Sequence, residues 1–579
     1  MPGFFVSNKN IDIELKNRYS ESCIAESISS TTGTFKRNTL DKFMNDKTLA
    51  NVSDITIILD GYLLNKKELF QNYHVNSIEE LILKMYHTCG ETFFSNFRGA
   101  FSGALFDKSS DKWIVYTNHI GDAAVFFYKT NDSFFAGSQV NYVIDAARAQ
   151  NLPLTFHELA AYQMLTYAFM IDDSTYAKEI KRLRGGTYLC VENGHAEVKE
   201  YHTFTQNPER FANYSENNLI KIINQQFQEA VRVEYEKDSE YQYEHLSDLS
   251  GGLDSRMNIW VAHAACGIDH IQCLTYCKAN YLDELIAKEI SEYWKDELLV
   301  KPLDDISFLY DIDENIFLTG GLSLYSGITG GKRMLESINM SRYGLEHTGQ
   351  VGDAILGSFF STPIEQEQRK PSGMYSEVFS NRISDFTSKE VQKYKSYEIY
   401  LMYARGFQGA ANTHQIRRNY TEVASPFLYV DFLQTCLDIP TELRIKHHLY
   451  KKWILSCYPD AAKFTWEKTG NKITESSSTT FLKKVITHGP RACVNRISKI
   501  FGYKPISKSG MNPLDYWISQ DQKLRSFWSQ YVEETLQQFS SLFSSQLKLD
   551  IQHLFYNGNA SEQVMALTVL GALKLYFGK

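Results

Sequence analysis

The stretch Glu244–Trp260, EHLSDLSGGLDSRMNIW, decides the fold of the second half of the chain. A short strand ends in two glycines between serines, and a helix is predicted to begin near Asp254. Glycines let the backbone turn sharply, and the free amides of a helix start favour an anion. Asp254 would repel a bare phosphate, so the pattern predicts a phosphate bound together with Mg²⁺. An ordinary Gly-Ser turn is the alternative interpretation.

Strands and helices alternate around this loop. Helical periodicity covers Leu219–Tyr235, a strand is predicted at His270–Cys277, and an amphipathic helix at Tyr281–Lys295. This alternation is typical of a parallel sheet covered by helices. The remainder of the chain, to Lys579, is predicted to be mostly helical.

The first part of the chain is rich in predicted strands instead. Helical spacing is seen at Glu80–Gly90, and the candidate strands are Asp54–Leu64 with a turn at Asp60-Gly61, Gly99–Asp107, Lys112–His119, Ala124–Thr130 and a hairpin over Gly185–His202 that turns at Asn193-Gly194. These runs predict an antiparallel sheet domain with a few helices. The polar segment 203–218 is interpreted as a linker, which gives two domains, 1–205 and 206–579.

Composition limits the classes of function. The chain has 579 residues and a formal net charge of −8, so it has no general attraction to nucleic acids or anionic membranes. Its first residues lack the apolar core of a signal peptide, and no run approaches the roughly 20 apolar residues of a membrane span. We therefore expect a cytoplasmic protein with neither nucleic-acid nor membrane partners; a homodimer is one assembly that the sequence leaves open.

The loop Ser250–Ser255 resembles the pyrophosphate-binding loop of the ATP pyrophosphatase superfamily, whose pattern is Ser-Gly-Gly-x-Asp-Ser. The resemblance implies an α/β fold of the adenine-nucleotide α-hydrolase-like type for the second domain, with a helical C-terminal part. It also implies that ATP is bound by the residues of this loop, namely Leu249, Ser250, Gly251, Gly252, Asp254 and Ser255.

Three later segments resemble the asparagine synthetase family of the class B type. Glu422–Leu455 carries the Pro-Phe-Leu core of a family segment, and Tyr458–Phe481 is similar to the region of the catalytic lysine, which falls at Lys468. In His347–Phe360, the resemblance implies a second metal-binding aspartate at Asp353, beside Asp254, and nucleotide contacts at Thr348 and Gly349. Asp283 and Glu284 match acidic family positions, although a helix start explains them equally well. Ser323–Leu335 is a weaker candidate for the substrate pocket.

The N-terminal half resembles the family's glutaminase domain, an antiparallel α+β sandwich of the N-terminal-nucleophile (Ntn-hydrolase-like) type. That family begins Met-Cys-Gly, whereas this chain begins Met1-Pro2-Gly3. Proline has no nucleophilic side chain. Asp60 and Tyr62 also replace the asparagine and glutamate of the family's Asn-Gly-Glu. We therefore expect no glutamine hydrolysis.

A further departure lies at Gln350, which stands where the family has a catalytic glutamate. Glutamine is neutral and cannot act as a general base. β-Lactam synthetase and lasso-peptide cyclases show similar losses, so the resemblance implies a glutaminase-deficient ligase. Such an enzyme uses ATP and Mg²⁺ to turn a carboxylate of a small molecule or peptide into an acyl-adenylate, releases pyrophosphate, and passes the acyl group to an amine. Lys468 and Gln350 are its candidate catalytic residues.

Two other interpretations stay open. One is an ammonia-dependent asparagine synthetase, against which Gln350 argues. The other is a catalytically inactive homologue that acts as a binding protein, against which the complete Ser250–Ser255 motif, Asp353 and Lys468 argue. The identities of the acyl and amine substrates cannot be read from the sequence.

Overall fold

The computed structural model describes residues 2–16, 23–30, 33–327, 331–360, 373–474 and 508–578. Parts of two segments singled out above, 328–330 and 475–481, lie outside these residues. Within the described residues, no helix is long and apolar enough to cross a membrane.

Two six-stranded antiparallel sheets form the first part of the chain. Their strand orders are β10-β8-β9-β1-β3-β2 and β12-β11-β7-β6-β5-β4. The strands are β1 Gly3–Ser7, β2 Cys23–Ser30, β3 Gly33–Leu40, β4 Thr48–Val52, β5 Ile55–Gly61, β6 Phe101–Asp107, β7 Lys112–Thr117, β8 Phe126–Lys129, β9 Phe134–Gly137, β10 Ile180–Arg182, β11 Thr187–Glu192 and β12 His195–Glu200.

The two sheets pack face to face because successive side chains of a strand point to opposite faces. Phe4 and Val6 of β1 join Ile58 of β5 and Val115 of β7 in the core between the sheets. Phe5, between the first two, joins a second core with the helices outside the sheet. The predicted antiparallel sandwich is therefore observed, and its outer faces are covered by helices.

A five-stranded parallel sheet forms the centre of the second part of the chain. Its order is β15-β14-β13-β16-β17, and every pairing in it is parallel. The strands are β13 Glu244–Asp248, β14 Gln272–Cys277, β15 Glu297–Pro302, β16 Tyr343–His347 and β17 Glu422–Ala424; a separate two-stranded hairpin consists of β18 Thr465–Trp466 and β19 Asn471–Lys472.

Helices cover both parts. The first helix of the second part is long, Glu216–Glu240, and the Ser215 side chain caps it by accepting a hydrogen bond from the Asn218 amide. The described α-helices are Lys66–Tyr73, Ile78–Cys89, Val140–Ala149, Glu158–Tyr167, Glu216–Glu240, Leu253–Ala264, Leu282–Trp294, Ile312–Thr319, Gly331–Leu335, Gly352–Gly357, Ser380–Gln392, Tyr397–Leu401, His414–Arg417, Val430–Asp438, Thr441–Arg444, His448–Cys457, Leu514–Gln520, Gln522–Gln538, Ser545–Asn557 and Ala560–Phe577.

One local prediction was wrong: Asp60-Gly61 is not a turn, because β5 continues through Gly61 and stays paired with β6. The segment 203–218 connects β12 to the long helix, which begins at Glu216, and its Phe204 and Phe211 are buried in the core of the second part. The hairpin turn at Asn193-Gly194 is confirmed, since both residues have positive φ between β11 and β12.

Candidate active site

The strand order of the parallel sheet places the loop after β13 at a topological switch point. From β13 the chain moves to β14 and β15 on one side, and then returns to β16 and β17 on the other side. In open α/β sheets, ligands bind outside the carboxyl ends of the strands where the order reverses. The loops that follow β13 and β16, starting at Leu249 and Thr348, meet at this point.

The polar character of β13 has a structural explanation. Asp248, at its carboxyl end, forms an ion pair of 2.9 Å with Arg417, which is almost fully buried. Arg417 also donates to the Tyr276 hydroxyl at 2.7 Å. Ser247 donates to the His347 carbonyl of β16 at 3.2 Å. These polar side chains are thus paired within the protein, and Asp248, Tyr276 and Arg417 line the site.

The loop is held by its own serines. The Ser250 amide donates to Ser255 Oγ at 3.0 Å, and the Gly252 amide donates to Ser250 Oγ at 3.2 Å. The helix Leu253–Ala264 then begins with Gly252 as its N-cap. The sequence had suggested that these loop amides point at an anion. Instead, the first amides of the loop already have partners inside the protein.

Asp283 accounts for one of these partners. Its carboxylate accepts a hydrogen bond of 2.7 Å from the Gly251 amide. Burial raises the pKa of Asp283 to about 6, while the Gly251 amide acts in the opposite direction. Glu284, in contrast, accepts from Asn280 and pairs with Lys288 at its own helix start. The two adjacent acids therefore differ: Asp283 supports the loop, and Glu284 supports a helix.

Asp254 and Asp353 lie side by side. Asp254 Oδ2 accepts from the Asp353 amide at 2.8 Å, and Asp254 Oδ1 accepts from the buried Tyr450 hydroxyl at 2.9 Å. Burial and the charge of Asp353 raise the pKa of Asp254 to about 8. Two neighbouring carboxylates form an oxygen-rich site that suits a hard cation such as Mg²⁺.

Two glycines permit this close approach. A Cβ atom on Gly349 would lie 2.4 Å from the Ser255 nitrogen, and one on Gly352 would lie 2.7 Å from Asp254 Cγ. Between them, Val351 has a φ of 67°, a left-handed conformation that is unfavourable for a β-branched residue. Such strain occurs preferentially at functional sites, where the surrounding structure enforces it.

A cavity of about 450 Å³ opens beside the loop. Most of the residues predicted to bind the nucleotide lie on its wall: Leu249, Ser250, Gly252, Asp254, Ser255, Thr348 and Gly349. Gln350, predicted as a catalytic residue, lies there as well. Gly251 is the exception, because it faces Asp283 and Glu467. We call this space the loop cavity.

A second cavity, of about 740 Å³, contains the other two predicted site residues, Asp353 and Lys468. We call it the larger cavity. Gln350 lies at the seam between the cavities, since it lines the first and its Nε2 donates to Thr413 of the second at 3.2 Å. Of the candidate pocket segment Ser323–Leu335, Ser323, Leu324 and Gly327 line the larger cavity, whereas Lys332 is buried among acidic side chains.

Lys468 is carried by the hairpin β18–β19, and this hairpin is fastened to the loop. The Glu467 amide donates to the Gly251 carbonyl at 3.1 Å. The buried Arg256 donates to the carbonyls of Gly251 and Ala461, each at 3.2 Å. Lys468 itself is exposed, with its Nζ 5.8 Å from the centre of the Trp466 ring. Sequence reasoning missed Arg256, Tyr450 and Arg417, which have no local signature.

His447 lies beside Lys468 on the same wall of the larger cavity. Burial, followed by the charge of Lys468, lowers the pKa of His447 to about 4. The imidazole is therefore neutral at neutral pH and adds no positive charge to that of the lysine. Lys446 and His447 both have left-handed backbone conformations, with φ values of 55° and 59°.

The N-terminal region places Pro2 beside a much smaller cavity, of about 50 Å³. Asp60 lies on its wall, together with Arg418 and Glu422 from the second part of the chain. Arg418 forms an ion pair of 2.7 Å with the buried Asp122. Lys47 lies between Asp60 and Glu422, at 3.7 Å and 3.2 Å. An ion-pair network that joins the two parts of the chain thus surrounds the position expected for a nucleophile.

Comparison with known proteins adds to this geometry. Residues 45–202 match the family described as glutamine amidotransferase domain. A putative glutamine-hydrolysing asparagine synthetase of Methanocaldococcus jannaschii is 20% identical over 273 residues, which is 45% of this chain and 52% of the relative. These matches support an asparagine synthetase-like family for the chain.

The other similarities are weaker. The amidase chry2 of Gibberella zeae is 21% identical over 182 residues, 31% of this chain and 26% of that protein. The chain thus spans about half or less of the length of these curated relatives. Among solved structures, glutamine phosphoribosylpyrophosphate amidotransferase from B. subtilis, in complex with ADP and GMP, covers 46% of this chain and 64% of its own, at 10% identity and a TM-score of 0.24.

Proposed function

We propose that this protein is an ATP-dependent ligase that forms an amide without hydrolysing glutamine. A substrate carboxylate attacks the α-phosphorus of ATP, so that an acyl-adenylate forms and pyrophosphate leaves. An amine then attacks the acyl carbon, and AMP leaves. The asparagine synthetase-like similarity supports a ligase or amidotransferase and implies use of ATP; the AMP-forming chemistry is part of the proposal.

The observation that carries the proposal is the pairing of Asp254 with Asp353 at the junction of the two cavities. Asp254 lines the loop cavity and Asp353 lines the larger cavity, and a hydrogen bond of 2.8 Å joins them. A nucleotide in the loop cavity would thus have its phosphates beside both carboxylates, facing the space available for a second substrate.

The roles of the residues follow from their positions. Asp254 and Asp353 would hold Mg²⁺, which supplies neutralisation of phosphate charge when it is bound. Tyr450 orients the Asp254 carboxylate. Lys468 stabilises negative charge that develops on the acyl oxygen and on pyrophosphate. Gln350, a neutral amide at the seam, can position a substrate but cannot remove a proton.

The absence of glutamine hydrolysis is supported by the surroundings of Pro2. No thiol or hydroxyl belongs to this side chain, and the adjoining space of about 50 Å³ is lined by the ion-paired Arg418 and Glu422. The amine would therefore come from the acyl acceptor itself or from free ammonia. In this proposal the first region supplies packing and not a nucleophile.

The test is carboxylate-dependent exchange of labelled pyrophosphate into ATP, measured with a panel of acids. Asp254→Ala should abolish exchange, a loss of at least about 10³-fold, because both the metal ligand and the partner of Asp353 disappear. Asp313→Ala is the matched control, since Asp313 is an exposed acid paired with Lys574 outside both cavities. Exchange that survives in Asp254→Ala, or Mg²⁺·ATP binding with no exchange for any acid, would refute adenylation at this site.

A further inference from the structure

The larger cavity has a size and a lining that restrict what it can bind. Its volume of about 740 Å³ is in the range, roughly 300–1,000 Å³, of sites that enclose drug-sized ligands. Aspartate, the acid named in the alternative interpretation, would leave most of this space to water. The cavity therefore fits a considerably larger molecule.

One wall of the larger cavity is built from small residues. A π-helix, Met402–Ala410, presents Gly406, Gly409 and Ala410 to the cavity, and Thr413 follows with the same periodicity. A Cβ atom on Gly409 would lie only 3.0 Å from Cδ1 of Phe169. Short π-helical segments occur frequently at functional sites. The Phe169 ring therefore packs directly on Gly409, and the two residues form one continuous part of the cavity wall.

Aromatic rings provide the facing surfaces. Phe169 comes from the N-terminal region and is buried, while Phe359 and Phe360 follow the helix that begins beside Asp353. Tyr375 is 56% exposed at the edge of the cavity. Phe169 reaches the cavity because its strand-like segment pairs with Ser323 of the second part. The N-terminal region thus contributes directly to the wall.

The charges on the wall are unbalanced. Arg405, Lys446, Lys451 and Lys468 line the larger cavity, and Asp353 is the acidic side chain found with them among the described lining residues. Within the part of the chain that the structure describes, none of these four cations forms an ion pair. Lys446 and Lys451 lie near His447 and Lys468 on the wall of this cavity. Arg405 lies elsewhere, on the π-helix, with its guanidinium 5.5 Å from the centre of the Phe359 ring.

From these features we infer that the larger cavity binds the acyl substrate, and that this substrate is a carboxylic acid with an aromatic body and a second anionic group that Arg405 recognises. The inference rests on the proposed function, which places the reacting carboxylate beside Asp353 and Lys468. The aromatic body lies against Phe169 and the small side chain of Ala410 on the wall of the cavity. Arg405, held over Phe359, binds the second anion.

Binding measurements with defined probes test this inference. N-Benzoyl-L-glutamate carries an aromatic ring and two carboxylates; N-benzoyl-L-glutamine has nearly the same shape with one carboxylate; L-glutamate lacks the ring. Dissociation constants are measured by calorimetry with Mg²⁺ and α,β-methylene-ATP present. We expect benzoylglutamate to bind at least about tenfold more tightly than either of the other probes. Benzoylglutamine lacks the second charge, whose charge-assisted hydrogen bond is worth about this much, and L-glutamate lacks the ring, whose burial favours binding.

The variant Arg405→Met should reduce benzoylglutamate to the affinity of benzoylglutamine, and leave binding of the ATP analogue within about twofold of the wild type. Arg232→Met is the matched control, since Arg232 pairs with Glu229 and Glu236 on the exposed surface of a helix. Equal affinities for the two benzoyl probes, or a preference that survives in Arg405→Met, would overturn the inference.

A second variant tests the wall formed by Gly406, Gly409 and Ala410, and it does so without changing any charge. Ala410→Leu should weaken benzoylglutamate by at least about tenfold through loss of space, while Ala212→Leu, on an exposed loop residue, should not. Unchanged affinity in Ala410→Leu would contradict the placement of the ring.

The same measurements separate the two proposals. If the ATP analogue binds and no probe does, the inference about the substrate fails and the ligase proposal stands. If the analogue does not bind, and the probes still depend on Arg405, the ligase proposal fails and the chemistry of the cavity stands. If neither binds, both fail.

Discussion

The surroundings of Pro2 and those of Ser250 differ in the volume of the adjoining space and in the pairing of their polar side chains. Beside Pro2 the space has a volume of about 50 Å³, and the nearby polar residues are paired with one another across the two parts of the protein. Beside Ser250 there is a cavity of about 450 Å³, with a second of about 740 Å³ adjoining it. Both regions have the expected sheets, so a conserved architecture does not by itself indicate retained chemistry.

The pairing of the buried charges distinguishes the region that packs from the region that is expected to bind a ligand. In the first region, buried charges are satisfied by partners, and they contribute to the contact with the second region. In the second region, Asp254 and Asp353 are two acids held together without a cationic partner at hydrogen-bonding distance among the described residues. Unbalanced charge beside an open cavity is the feature expected of a ligand site.

The largest expected effect concerns the network near Pro2. Arg418→Met removes the cationic partner of the buried Asp122 and leaves only the hydrogen bonds from Asn118 and His414. It should cost about 3–5 kcal/mol of stability, because the charge of Asp122 is then buried without a cation beside it. The measurement is the midpoint of urea unfolding. Arg342→Met, which removes an exposed pair with Glu244, should leave the midpoint close to that of the wild type. Similar midpoints for the two variants would contradict a structural role for Arg418.

A second prediction concerns the catalytic half. Lys468→Ala should lower the rate of pyrophosphate exchange by about 10²–10³-fold with little change in the affinity for ATP, because the lysine acts on charge that develops in the transition state. Lys463→Ala is the control: this exposed lysine pairs with Asp460 and lies outside both cavities. An equal loss in both variants, or a loss confined to ATP affinity, would show that Lys468 has another role.

These two predictions depend on features that sequence reasoning captured unequally. The loop and its helix could be predicted because their signals are local: glycines, a short motif and a helical period. Lys468 was predicted from the resemblance of its segment to a known family. Arg418, Arg256 and Tyr450 could not be predicted, since each acts through a contact with a residue more than a hundred positions away. The turn proposed at Asp60-Gly61 failed because a glycine within an apolar strand and a glycine in a turn look alike locally.

A third prediction uses the buried cluster behind the loop. His347, which precedes Thr348, donates to Asp238 at 2.8 Å, and despite burial the Asp238 carboxylate raises the pKa of His347 to about 9. Because the pKa of His347 is higher in the folded than in the unfolded state, the protonated histidine stabilises the fold fully below about pH 6.5. This stabilisation is lost as the pH rises through 9. We expect the free energy of unfolding to fall by up to about 3 kcal/mol over this window.

The variant His347→Gln keeps a donor for Asp238 but does not titrate, so its stability should fall less steeply than that of the wild type from pH 6.5 to pH 9. The raised pKa of Asp254, about 8, leaves the same residual slope in both proteins. Unfolding curves at several pH values provide the measurement. A slope equal to that of the wild type would assign the pH dependence to a different group. With that result, His347 could no longer be regarded as a charged histidine behind the loop of the second region.

The smallest expected effect is the most informative about the first region. Pro2→Cys restores a thiol at the expected position, yet we predict no release of glutamate from glutamine. The space there is about 50 Å³, and Lys47 and Arg418 remain committed to their carboxylate partners. Release of glutamate above that of the wild type would show that the first region lost only its nucleophile and kept a working site.

The central claim is that this chain activates a carboxylate by adenylation at Asp254 and Asp353. The most direct test uses the acid selected by the exchange assay, labelled with ¹⁸O in its carboxylate, together with ATP, Mg²⁺ and an amine. The account predicts that one ¹⁸O atom appears in AMP when the amide forms, because the carboxylate oxygen becomes bonded to the α-phosphorus. Unlabelled AMP, or ADP with label in inorganic phosphate, would contradict it.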